Sequence, residues 1–218
     1  MENIGIKHHL NDELLMAYAA GALPEAFSLV VATHISMCDL CRADLAAHES
    51  VGGAVLEDAG SAELSDDALA RCLAAINELP APVPAEPKAL VDSIFPEPLR
   101  EYAGVSPDDV NWRPIGYGVK QAILPSSKDA SVRLLYIPGG VEMPDHGHQG
   151  TELTLVLQGA FRDEFDRFGV GDVEIAGPED EHTPVAEEGE PCICLAAADA
   201  RLKFNSLIPK LAQPFLRI

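Results

Sequence analysis

Hydrophobic residues follow two different rhythms along this chain. Up to about residue 80 they recur every three or four positions, the period of a helix with one buried face. The spacing predicts a first helix over residues 11–21. Leu14, Leu15, Tyr18 and Ala19 share its face, Asn11 can cap it, Asp12 and Glu13 suit the positive end of its dipole, and Gly21 can end it. Pro24 suits the opening of a second helix carrying Phe27, Val30, Val31 and His34. A break near Met37 starts a third, through Cys41, Leu45 and His48, with Gly52-Gly53 as its stop. Ser65-Asp66-Asp67 opens a fourth, which places Leu69, Cys72, Leu73 and Ile76 on one stripe and ends before Pro80. That stripe either packs on its own bundle or is the face offered to a partner.

Beyond residue 98 the helical period disappears. Short apolar runs at 119–124, 132–137, 153–157, 173–175 and 192–196 read as strands, punctuated by glycine and proline about every ten residues. This is the pattern of an all-β barrel or sandwich. Between the two rhythms, Pro80, Pro82, Pro84, Pro87, Pro96 and Pro98 place six prolines in 19 residues, an extended and semi-rigid spacer. The expected organisation is a helical domain over residues 1–79, a linker over 80–98 and a β domain over 99–218.

Charge narrows the partners. The chain carries a formal net charge of −20, with 4 basic and 16 acidic side chains in residues 1–98, or −12 for the helical part and its linker. Such a surface repels phosphate backbones and anionic lipid, so direct binding to nucleic acid or membrane is not expected, and a basic protein partner is. The acidic surface also serves plain solubility. No apolar run approaches the ~20 residues of a membrane span, and the first residues lack the basic-then-apolar order of a signal peptide. A cytoplasmic location follows as an expectation, with the five cysteines reduced or metal-bound.

Two constellations carry chemistry. His34, Cys38 and Cys41 form an H-x3-C-x2-C run, and His9 lies upstream. On a helix His34 and Cys38 share a face and Cys41 follows one turn later, so one short segment offers three zinc ligands and His9 closes the tetrahedron. His8 adjoins His9 and can substitute for it. A redox C-x-x-C is the alternative, but the surrounding pattern lacks the β-α-β run of a thioredoxin-like site. Three short helices bury little by themselves, and zinc would supply the staple. In the β half, His146 and His148 share a strand face and Glu152 lies on the same side if that strand continues. Cys192 and Cys194, also alternate, are either two buried small residues or an oxidant-sensitive pair.

Gly140-x5-His146-x-His148-x3-Glu152-x6-Gly159 resembles the first motif of the cupin superfamily, and Gly171 to His182 has the spacing of the second. The family's proline falls on Gly177, its second glycine on Glu179 and its terminal asparagine on Ala186. The resemblance implies a jelly-roll barrel with a divalent metal held by His146, His148, Glu152 and His182; zinc is the first choice, with manganese, iron or nickel as alternatives. Residues 9–41 resemble the zinc-binding anti-sigma domain family, and the two halves together are similar to ChrR-type anti-sigma factors. That resemblance implies an α+β multidomain protein, a zinc-stapled helical bundle followed by a cupin. It implies one zinc on His9, His34, Cys38 and Cys41, and sequestration of an extracytoplasmic-function sigma factor as a 1:1 heterodimer. It also implies release under oxidative stress, notably singlet oxygen, through the cupin domain, and no enzymatic activity. The rival expectation is a cupin metalloenzyme, a dioxygenase or hydrolase, with a small zinc interaction module.

Overall fold

The computed structural model describes residues 5–80 and 93–204. Four helices come first: α1 (Asp12–Ala19), α2 (Glu25–Met37), α3 (Asp39–Asp58) and α4 (Ala68–Glu78). Asn11 caps α1 by accepting the Leu14 N–H at 2.9 Å, and Gly21 ends it at φ +65°. The break near Met37 is a single residue. Cys38, at φ −111° and ψ 111°, closes α2 and opens α3, and the two helix axes turn by 118°. The three candidate ligands therefore straddle a corner instead of lying on one helix. The last turn survives, because the Cys38 N–H still reaches the His34 carbonyl at 2.9 Å.

Gly52-Gly53 does not stop α3, which runs on to Asp58. A glycine ends a helix by turning left-handed, and the residue that does so is Gly60, at φ +77°. Helix α4 forms as expected, but it has no buried residue. Of the proline-rich stretch, residues 81–92 lie outside the described residues. Its last two prolines open a fifth helix, α5 (Glu97–Ala103): Pro96 is the cap and Pro98 sits in the first turn, where a missing N–H costs nothing. Phe95 and Leu99 beside them are wholly buried.

Among the described residues the β half has twelve strands, β1 (Arg113–Gly116), β2 (Val119–Leu124), β3 (Ser131–Ile137), β4 (His146–His148), β5 (Glu152–Gln158), β6 (Ala160–Arg162), β7 (Arg167–Gly169), β8 (Val173–Ala176), β9 (Glu181–His182), β10 (Val185–Ala186), β11 (Cys192–Ala198) and β12 (Leu202–Phe204). They form a six-stranded sheet in the order β1-β2-β3-β11-β5-β8 and two three-stranded sheets, β10-β6-β7 and β12-β4-β9. Every pairing is antiparallel.

The centre of the large sheet is buried on both faces, while its edge strand β1 is exposed. On β11, Cys192 and Cys194 join Val119, Ile137, Val156, Phe161 and Phe168 in a core inside the barrel. Ile193, Leu195 and Ala197 join a second core with Leu134, Leu153 and Leu155, and this one continues into Val30 and Val31 of α2 and Leu99 of α5. Helix α2 thus lies across the outer face of the large sheet, against β11, β5 and β3. Glu25 anchors its start, accepting the Tyr102 hydroxyl at 3.0 Å and the Ser127 N–H at 2.7 Å. Among the described residues no single helix is long and apolar enough to cross a membrane.

Candidate metal centres

The corner between α2 and α3 gathers the first cluster. His9, His34, Cys38 and Cys41 each bring one donor atom within 4.8 Å of all the others. His34 Nε2 stands 3.2 Å from Cys41 Sγ, and His9 Nδ1 stands 3.3 Å from Cys38 Sγ and 3.7 Å from Cys41 Sγ. With metal–nitrogen bonds of ~2.1 Å and metal–sulfur bonds of ~2.3 Å, a tetrahedron has edges of roughly 3.3–3.8 Å, so the set fits zinc. The tautomers agree. His34 Nδ1–H donates to the Gly171 carbonyl at 3.0 Å, which leaves Nε2 as the lone-pair nitrogen facing the thiols. Burial holds the His34 imidazole down to about 4 and pushes the Cys41 thiol up to about 11. A neutral imidazole suits a ligand as it stands, and a thiolate forms here at neutral pH only with a cation beside it. His8 is placed elsewhere, its ring tilted against Phe168 at 4.4 Å with Nε2 3.5 Å from the Asp166 carboxylate.

The second cluster lies inside the barrel. His146 and His148 come from β4 and His182 from β9, whose register sets His146 opposite His182. Their Nε2 atoms converge: His182 is 3.2 Å from His146 and 3.3 Å from His148. Nitrogens bound to one cation at ~2.1 Å lie roughly 3.0–3.4 Å apart, so three imidazoles of this set also fit a divalent metal. His146 Nδ1–H donates to the Pro144 carbonyl at 2.8 Å. Burial holds both His146 and His148 down to about 4.

Glu152 stands differently from the expectation. Strand β4 ends at His148, and Glu152 opens β5 in the large sheet, so no single strand face carries all three residues. Its carboxylate lies 3.6 Å from His148 Nδ1, the nitrogen turned away from the cluster, and accepts the Thr154 hydroxyl at 3.2 Å. Burial raises its pKa, opposed by the buried Arg133. It still lines the same cavity, of about 230 Å³, with His146, His182, Arg133, Glu174 and Cys194.

Two residues at this centre escaped the sequence reading. Glu174 and Asp163 accept from His182 Nδ1–H at 2.9 and 3.0 Å. Burial opposes charge on His182, but these two carboxylates outweigh it and raise the imidazole to about 9. Burial lifts Glu174 in turn to about 7. A charged residue between Val173 and Ile175 was the available signal, since alternation points it into the barrel. Cys192 and Cys194 face the same interior with their sulfurs 3.4 Å apart.

Residues 100–200 match the family model described as the ChrR cupin-like domain. The chain is 58% identical to the anti-sigma-E factor ChrR of Cereibacter sphaeroides over 214 residues, 98% of this chain and 99% of that protein. It is also similar to ChrR in the crystal structure of Rhodobacter sphaeroides SigE in complex with the anti-sigma ChrR. The TM-score there is 0.79, with 56% identity over 89% of this chain and 99% of that one. An RmlC-like cupin protein from Ralstonia eutropha is 25% identical, covering 46% of this chain and 69% of that one, with a TM-score of 0.41.

Proposed function

Because the chain belongs to the ChrR family of anti-sigma factors, we propose that it sequesters an extracytoplasmic-function sigma factor in a 1:1 complex and releases it under oxidative stress, singlet oxygen first. The chain is an anti-sigma factor; the stress, the stoichiometry and the residues are our assignment. The observation that carries the binding reading is the apolar surface of α3, α4 and the residue that ends α4, which nothing among the described residues buries. Val51, Val55 and Leu56, then Leu69, Leu73, Ile76 and Leu79, are each more than half exposed. An apolar surface of this kind marks a protein interface, and helix faces with this spacing serve as anchors in a partner's groove.

In this reading residues 1–79 form the inhibitory domain, 80–98 join it to the rest, and 99–218 form the cupin domain. His9, His34, Cys38 and Cys41 hold a structural zinc that fixes the corner from which α3 projects. His146, His148 and His182 hold a second divalent metal, zinc by first choice, with Glu152 in the same cavity. The protein works in the cytoplasm, where the sigma factor and polymerase are, and does not itself bind DNA.

Co-expression with a sigma factor from the same genome tests this. We expect a complex that survives gel filtration and blocks transcription in vitro, and Leu69→Asp with Leu73→Asp should dissolve it without loss of zinc. Undiminished inhibition by that variant would remove α4 from the interface. The barrel cavity favours a second reading, a metal-dependent enzyme. Turnover of a small molecule by the metal-loaded chain would support it; we expect none.

A further inference from the structure

The two metal centres lie on opposite sides of one short piece of chain, the turn between β7 and β8 and the first residues of β8. The Gly171 carbonyl accepts His34 Nδ1–H at 3.0 Å. The Asp172 carboxylate, itself buried, accepts the N–H of Lys7 at 2.6 Å and of His8 at 3.0 Å through Oδ1, and the Gly169 N–H at 2.8 Å through Oδ2. The Val173 N–H donates to the His8 carbonyl at 3.3 Å. Glu174, the next residue, accepts His182 Nδ1–H at 2.9 Å. Gly171 leaves no slack in this arrangement. It stands at φ +88°, and a Cβ there would lie 2.7 Å from Ile6 and 3.7 Å from Met37.

We propose that residues 171–174 form an outer shell shared by both metal centres, through which the state of the cupin centre is felt at the zinc centre of the inhibitory helices. Gly171 and Asp172 are positioning residues for His34 and His9: the first orients a ligand ring, the second pins the backbone immediately before the other ligand. Glu174, on β8 just after that turn, orients His182. Outer partners of metal-bound histidines set ring orientation and hold the ligand in place. A displacement of β8 at the cupin centre therefore pulls on two zinc ligands at once. This rests on the two-centre reading above and adds the route between them.

The test measures the rate at which zinc leaves the N-terminal centre of the full chain to a chromophoric chelator, taken as the phase that Cys38→Ser abolishes. Asp172→Ala should speed that phase by ~10-fold, the lower part of the range for loss of an outer partner. Lys7→Pro, which deletes one donor and leaves the cupin turn as it is, should speed it in the same direction with cupin metal content unchanged. That variant keeps the question open to refutation if Asp172→Ala does not fold. The decisive measurement is a double-mutant cycle. Emptying the cupin centre with His146→Ala should speed N-terminal release about threefold in the otherwise native chain, less with Lys7→Pro, which deletes one of the contacts, and least with Asp172→Ala, which deletes the Lys7 and His8 contacts together. A role in folding alone would shift the rates without reducing the dependence on the cupin centre. Additive effects with both metals present in the native chain would overturn the shared shell and leave the two-centre reading standing. Absence of either metal from the native chain would overturn that reading and the inference with it.

Discussion

Neighbouring carboxylates, set against burial, divide the four buried imidazoles into two kinds, and the division has a measurable consequence. His34, His146 and His148 are held neutral, with pKa values down to about 4. In the unfolded chain each titrates near the ordinary ~6.5. Their share of stability is therefore present above that value and is lost as the pH falls through about 4. His182 goes the other way. Raised to about 9 by Glu174 and Asp163, it contributes fully below ~6.5 and loses that share as the pH rises through about 9. Urea unfolding of the metal-stripped protein should therefore show midpoints falling on both sides of neutrality; a flat profile from pH 4 to 7 would contradict the neutral assignment. The cysteines divide similarly. Hydrogen bonding to Cys192, with burial, pushes the Cys194 thiol well up, whereas Cys72 on α4 is exposed. Because the thiolate is the reactive form, alkylation of the native metal-loaded protein should label Cys72 and leave Cys192 and Cys194 unmodified by mass spectrometry. Rapid labelling of the buried pair would restore the case for an oxidant-sensitive C-x-C.

Helices and long strands were legible in the sequence because each repeats its period several times. Asn11, Pro24 and Ser65-Asp66-Asp67 marked helix starts correctly, and the five strand runs fell within a residue or two of β2, β3, β5, β8 and β11. The other seven strands have two to four residues, too few for alternation to register except where chemistry marked it, at His146 and His148 of β4. Two misreadings share one cause, that local chemistry was taken without its backbone conformation. Gly52-Gly53 permits a helix end without demanding one, and Cys38 turns a corner that i, i+4 spacing alone does not reveal. The absence of alternation in Leu153–Leu157 and Cys192–Ala196 carried information that went unused: strands apolar on both faces are covered on both sides, here by the barrel interior and by α2. Helix α4 is the reverse case, a stripe legible in sequence that nothing among the described residues buries. Leu73→Asp should accordingly change stability by no more than ~0.5 kcal/mol, as for other exposed positions. The same substitution should weaken sigma binding by ~2 kcal/mol, as for a buried interface anchor, or about 30-fold. Thermal melts and titration calorimetry separate the two, and a loss of stability without a loss of binding would place α4 in a packed core.

Continuity of the core governs the molecule as a whole. The sequence suggested two bodies joined by prolines, with zinc as the chief support of the smaller one. The structure instead shares one apolar core between them, running from Leu15 and Val30 through Leu99 to Leu155 and Leu195. A helical half that borrows the cupin's sheet as its floor cannot lose that floor and keep the same energy, whatever a metal at its corner would contribute. Two probes separate the halves optically. Helical ellipticity comes mainly from α1 to α4, whereas the single tryptophan, Trp112, belongs to the β half, where its ring meets Tyr136 edge-on at 5.9 Å. For the zinc-loaded full chain, the urea transitions followed by ellipticity and by Trp112 fluorescence should coincide, as expected when one core unfolds as one unit. Emptying the N-terminal centre with Cys41→Ser should move both curves to lower urea together, because the corner it holds is part of the shared core. Should the fluorescence transition stay in place while the helical one moves, the halves unfold independently. The cupin would then have to influence the inhibitory helices without being part of what keeps them folded.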